Sequence, residues 1–188
     1  MERTCKTCRK CNLRAGCRQV VFGEGNPHAR LMFVGEGPGQ QEDIQGRPFV
    51  GAAGQLLDKI LAAVGIKRED VYIANVVKCR PPGNRLPTSE EAQACLPHLI
   101  AQIRAIRPKI VVCLGALATQ TLIDKGARIT RARGNWFRKD GILYMPTFHP
   151  AALLRDETKK RPVWEDMKKV KEMLDRLEGK LRNSPGND

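Results

Sequence analysis

Six of the seven cysteines in this 188-residue chain lie where thiols could share a metal. Cys5, Cys8 and Cys11 repeat at three-residue spacing, Cys17 follows, and Cys79 and Cys95 stand apart as Cys-x15-Cys. Thiolate ligands fit zinc or an iron–sulfur cluster, and spacing alone selects neither the metal nor four ligands from six. Cys113 differs: it sits in the apolar run Ile110-Val111-Val112-Cys113-Leu114 and reads as a small buried residue. Three further residues could do chemistry on a ligand. Glu36 lies in the turn Gly35-Glu36-Gly37-Pro38-Gly39, Asn75 ends a β-branched segment, and His149 precedes Pro150. The turn can offer backbone N–H groups to an oxyanion or a base carbonyl. It lacks the Gly-x-Gly-x-x-Gly spacing, running directly into a helix, that a dinucleotide site needs. A carboxamide carries a donor and an acceptor together, which suits a pyrimidine edge, although Asn also caps turns. A lone His is more often structural than functional, but placement at a strand end beside Asn75 favours a functional role for His149.

The elements that must position these residues read as an α/β domain with a parallel sheet. Strands are predicted at Leu31–Val34, Val71–Val76, Ile110–Leu114 and Ile142–Met145. Helices are predicted near Ala52–Val64, Ser89–Ile106, Ala116–Ile123 and Val163–Leu181, with Thr88 and Glu91 forming a capping box. Residues 1–19 form a Cys- and Arg-rich arm, and the tail Asn183–Asp188 is expected to fray. No internal repeat or low-complexity tract interrupts this single domain. In open α/β sheets ligands bind beyond the carboxyl ends of the strands. Glu36, Asn75 and His149 all fall at such ends, so they converge on one rim.

Lys and Arg total 33 against 20 Asp and Glu, a net charge of +13. That excess favours a polyanionic partner, nucleic acid first, although basicity can also serve solubility alone. No stretch approaches the roughly 18 apolar residues of a membrane span. The charged, cysteine-dense start is unlike a secretory signal, so a reducing cytoplasm is expected, where cysteines serve metals more than disulfides.

Taken together, these segments resemble the family-4 uracil-DNA glycosylases, the thermostable iron–sulfur branch of that superfamily. The resemblance spans nearly the whole chain. It rests on Gly35-Glu36-Gly37-Pro38-Gly39-Gln40-Gln41-Glu42-Asp43, Gly46-Arg47-Pro48-Phe49-Val50-Gly51, Asn75-Val76-Val77-Lys78-Cys79-Arg80-Pro81-Pro82 and His149-Pro150-Ala151-Ala152-Leu153-Leu154-Arg155. It implies a three-layer α/β/α sandwich around a four-stranded parallel sheet. It also implies a structural [4Fe–4S] cluster on Cys8, Cys11, Cys79 and Cys95, leaving Cys5 and Cys17 as extras outside the family pattern. The same resemblance stacks uracil on Phe49, pairs it with Asn75 and sets it against Glu36, Gly37 and Pro38. His149 would stabilise the departing anion. Related glycosylases place an Asp where Gly37 stands, so the water-positioning carboxylate here is Glu36 or, second, Glu42; Glu42 could instead crowd the methyl of thymine. A covalent branch that traps DNA through a histidine after the second strand does not fit, since no His lies between Asn75 and Cys95.

The expected reaction removes uracil from single- or double-stranded DNA by a monomer associated with a prokaryotic nucleoid. Extruding a base costs a few kcal/mol of stacking and pairing. The pair Leu153-Leu154 is suited to fill the gap and Arg155 to grip the backbone, unless both leucines point into the core. Two other readings compete: a metal-stapled nucleic-acid-binding module without catalysis, and a zinc enzyme acting on another substrate.

Overall fold

Four aliphatic runs form the parallel centre of the sheet in the computed structural model, which describes residues 1–179. They are β2 (Leu31–Gly35), β3 (Tyr72–Asn75), β4 (Ile110–Leu114) and β6 (Ile142–Thr147), preceded by β1 (Glu24–Gly25) and interleaved with β5 (Phe137–Lys139). The order is β1-β3-β2-β4-β6-β5, with β1 and β5 antiparallel at the edges. The sheet thus has six strands among the described residues, where four were expected. The two additional strands span two and three residues, too short for side-chain alternation to register in sequence. The three-layer α/β class is unchanged.

The chain runs from β2 to β3 on one side, then crosses over β2 to β4 on the other. The β2–β4 boundary is therefore the switch point of the sheet, where neighbouring connections leave in opposite directions and open a crevice. Alternating side chains of the same strands feed two cores. Met32, Val34, Ala74, Val111 and Cys113 pack on one face, and Leu31, Phe33, Ile73, Val112 and Leu114 on the other. Near-continuous apolar strands are what two covered faces require.

The helices are α1 (Glu2–Lys6), α2 (Leu13–Gly16), α3 (Gln40–Gln45), α4 (Ala52–Ala63), α5 (Ser89–Ile106), α6 (Ala116–Leu122), α7 (Ile129–Ala132), α8 (Pro150–Arg155) and α9 (Lys160–Leu177). The capping box at α5 is present: Glu91 N–H donates to Thr88 Oγ1 and Thr88 N–H to the Glu91 carboxylate. On α9, Val163, Asp166, Met167 and Val170 are buried at the i, i+3, i+4, i+7 spacing of one helix face. That helix starts three residues before the predicted Val163. Its predicted end at Leu181 and the predicted fray at Asn183–Asp188 lie outside the described residues. The glycine turn, read as ending without a helix, in fact leads directly into α3. Six residues are too few for helical periodicity to show.

Candidate active site and thiol cluster

A cleft of about 690 Å³ opens at the switch point, beyond the carboxyl ends of β2, β3, β4 and β6. Among the residues lining it are Glu36, Gly37, Pro38, Glu42, Phe49 and Asn75, together with His149, Leu154 and Arg155. One expected residue is absent from the cleft. Leu153 is 1% exposed and packed in the core beside α4 and α9, whereas Leu154 is 53% exposed. The expected solvent-facing pair is corrected to a single residue, Leu154. Consecutive residues of a helix point about 100° apart, so α8 turns one leucine inward and the next outward.

Asn75 is 2% exposed, and its Oδ1 has no hydrogen-bond partner among the described residues. A buried, unsatisfied acceptor costs roughly 1–3 kcal/mol, so a turn-capping role does not account for it. Its neighbour in register on β2 is Gly35. A Cβ there would lie 2.5 Å from both Asn75 Oδ1 and the Phe49 ring, so only glycine lets carboxamide and ring share that space.

Phe49 has a left-handed backbone (φ 52°), unfavourable for a bulky residue, and three features hold it there. Glu42 accepts N–H bonds from Val50 (2.8 Å) and Gly51 (2.7 Å) through one oxygen and from Gly39 (3.1 Å) through the other. Arg68 donates to the Phe49 carbonyl (3.1 Å) and the Pro48 carbonyl (2.7 Å) and is itself paired with Asp58 and Glu24. Gly54 of α4 makes room, since a Cβ there would meet the Phe49 carbonyl at 2.0 Å. Arg68 and Gly54 were not identified from sequence; neither lies in a recognisable motif, and only the folded contact assigns them a role. The Phe49 ring faces the His149 imidazole at 5.6 Å between centroids.

His149 caps α8: its Nδ1 accepts the Ala151 N–H at 3.1 Å. Burial, with the Arg155 charge as a lesser cause, lowers its pKa from 6.5 to about 4. The ring is therefore neutral at physiological pH, with its hydrogen on Nε2. Behind it, Thr147 donates to fully buried Asp166 (2.6 Å), which also pairs with Arg133 (2.5 Å), fixing the strand end that carries His149. Burial raises the pKa of Glu36, opposed by the Leu117 N–H and the Arg155 charge. One rim thus combines an aromatic shelf, an unpaired carboxamide, a neutral imidazole donor and a partly desolvated carboxylate.

A second cavity lies behind Asn75. Cys5, Cys8, Cys11, Cys79 and Cys95 line it, so the expected four are joined by Cys5, while the Cys17 thiol lies beside that of Cys79. Among the described residues no three His, Cys, Asp or Glu side chains form a ready group for a metal ion. The donor chemistry nevertheless fits a thiolate-held iron–sulfur cluster. Fully buried Lys78 faces the thiols of Cys95 and Cys5, which oppose the burial that pulls its pKa down to about 8. Its ammonium donates to the Asn75 carbonyl (2.9 Å) and Gln102 Oε1 (2.6 Å), both uncharged, so an anionic cluster would complement it. Cys113 is fully buried in the core, as its apolar surroundings predicted.

The fold and cleft define an α/β protein whose site, at the switch point of its sheet, brings together an aromatic ring, a carboxamide and an imidazole. The family model described as the uracil DNA glycosylase superfamily matches residues 22–168. The chain is 51% identical over 175 residues to the type-4 uracil-DNA glycosylase of Thermotoga maritima, covering 90% of each chain. It is 44% identical to the type-4 enzyme of Archaeoglobus fulgidus, covering 89% of this chain and 88% of that one. Identity to a type-5 uracil-DNA glycosylase of Pyrobaculum aerophilum is 35% over 69% of this chain. The protein belongs to the uracil-DNA glycosylase superfamily, in its type-4 family.

Proposed function

We propose that this protein excises uracil from DNA by hydrolysing the N-glycosidic bond, leaving an abasic site as the first step of base excision repair. The observation that carries this reading is the buried, unpaired Oδ1 of Asn75 beside the Phe49 ring. An extruded uracil slides onto Phe49, its N3–H donating to Asn75 Oδ1 and its O4 accepting from Nδ2. Gly37 and Pro38 close the other side of the ring. As the glycosidic bond lengthens, the sugar gains positive charge and the base negative charge, and preoriented dipoles stabilise that separation. The His149 Nε2–H donates to the uracil O2. Glu36 orients water toward the sugar and faces its developing cation. Glu42 is the weaker candidate for that task, because its two oxygens already accept three backbone N–H groups. Its fixed carboxylate instead shapes the wall that a thymine methyl would approach.

Leu154 fills the gap left by the base, and Arg155, exposed at the rim, meets the phosphates. Cys8, Cys11, Cys79 and Cys95 would hold a [4Fe–4S] cluster that staples the amino-terminal arm to the β3–α5 segment. The cluster supplies structure and no step of the hydrolysis. The protein acts as a monomer in a reducing cytoplasm, at the nucleoid. No helix among the described residues is long and apolar enough to cross a membrane.

Incubating the protein with matched uracil- and thymine-containing oligonucleotides, then cleaving abasic sites with alkali, tests the reading. Strand cleavage confined to the uracil substrate is expected. DNA binding without cleavage of either would favour the non-catalytic module.

A further inference from the structure

One exposed apolar group at the cleft takes no part in reading or cleaving the base. Leu86 is 65% exposed, more than any other large hydrophobic side chain among the described residues, and it lines the same cleft as Leu154. Single exposed leucines are common on proteins. This one, however, sits on a stiff base. Arg85 is bound through both terminal nitrogens to Glu91 (2.7 and 2.8 Å) and also donates to the Leu86 carbonyl (3.0 Å). Glu91 is in turn fixed by the Thr88 N–H. Pro81 and Pro87 are buried on either side, and Arg80 donates to Asn84 at the turn (2.7 Å). A leucine held outward at this cost in conformational freedom has little to lose on being buried by a partner.

Its position in the fold points to the partner. Leu86 follows β3 and Leu154 follows β6, two strands that lie on opposite sides of the β2–β4 switch point. The two leucines thus reach one cleft from connections on either side of the β2–β4 switch point, and Asn75, Glu36 and His149 line that cleft too. The chain's net charge of +13 favours a polyanion there.

We propose that Leu86 is a second apolar probe, pressing into the base stack of duplex DNA from the side of the switch point opposite Leu154, so that the two leucines bracket the extruded nucleotide. This rests on the uracil-excision reading above. The occupant is duplex DNA, because only a stacked duplex both resists extrusion and offers base faces to an inserted side chain. A single strand has less stacking to replace and needs the probe less.

The test measures single-turnover excision by the full-length protein, its Leu86→Ala variant and its Leu86→Gln variant on matched duplex and single-stranded uracil oligonucleotides. Wild-type cleavage of the single strand checks the excision reading by itself, and the duplex-to-single-strand rate ratio checks Leu86. Removing the probe is expected to lower that ratio by about tenfold in both variants. Gln is similar in length but polar, so agreement between the variants attributes the loss to apolar contact. Melting temperatures should stay close to the wild-type value, because the side chain is mostly exposed in the free protein. 2-Aminopurine placed opposite the uracil should brighten on wild-type binding and brighten less with either variant. An unchanged ratio, or equal slowing on both substrates, would overturn the proposal.

Discussion

In the proposed reaction, His149 would serve structure and chemistry with one ring. Its Nδ1 is occupied by the Ala151 N–H, and this obliges Nε2 to carry the hydrogen that a leaving uracil anion needs. Replacing His149 by Ala should lower single-turnover cleavage by about two to three orders of magnitude while changing uracil-DNA binding much less. Equal loss of both would assign it a positioning role instead. The pH dependence follows from its lowered pKa. Between the ordinary value of 6.5 and the folded value of about 4, the unfolded chain binds the proton that the folded chain refuses. The stabilising contribution of the neutral ring is thus complete above pH 6.5 and declines as pH falls toward 4. Wild-type melting temperature should drop over that window, and His149→Ala should flatten the drop. The cleavage rate should show no step near pH 6.5. It should fall at acid pH as Glu36 protonates, at a pH above that of an ordinary glutamate because burial raises its pKa. A rate that falls as pH rises through neutrality would mean that a charged imidazole does the work.

At the scale of elements, short connections carry the site and long elements hold the connections. The Phe49 loop is positioned by α3 through Glu42, by α4 through Gly54, and by Arg68 before β3. The strands and the long helices α4, α5 and α9 were readable because apolar periodicity accumulates over many residues. The rim that carries the site followed from the strand ends, whereas the β2–β4 switch point needed the strand order. The clamp on Phe49 was not readable, because Arg68 and Gly54 act across the fold and no local pattern marks such a contact. Leu153 and Leu154 illustrate the same limit at close range: adjacency in sequence suggested a common direction, and the turn of α8 separates them. Their difference is measurable. Leu153→Ala should cost about 2–5 kcal/mol of stability, read as a lower denaturation midpoint. Leu154→Ala should leave the midpoint in place and slow excision from duplex DNA more than from single strands. Identical behaviour of the two variants would show that α8 does not divide them.

For the molecule as a whole, the thiol cavity and the uracil cleft are neighbours joined by a short stretch, Asn75 to Cys79, with buried Lys78 bonded to the Asn75 carbonyl. The cysteine pattern disclosed the cavity, but spacing could not reveal that Cys5 also turns into it, since that depends on how α1 docks. Substituting Cys11, Cys79 or Cys95 by Ala should abolish the visible absorbance that the proposed iron–sulfur cluster would give, lower the iron content and impair folding. Cys8→Ala should do the same, and Cys113→Ala should leave colour and iron unchanged. Colour that persists without Cys8 but disappears without Cys5 or Cys17 would reassign the ligands. If the buried, unpaired Oδ1 of Asn75 reads an extruded uracil, Asn75→Asp should reveal it. A carboxylate is nearly isosteric but cannot donate to O4 and repels it. With single-turnover excision of uracil measured beside the wild type, and the melting temperature confirming the fold, the rate should fall by about 100-fold or more. Uracil excision at the wild-type rate by the folded variant would contradict the account.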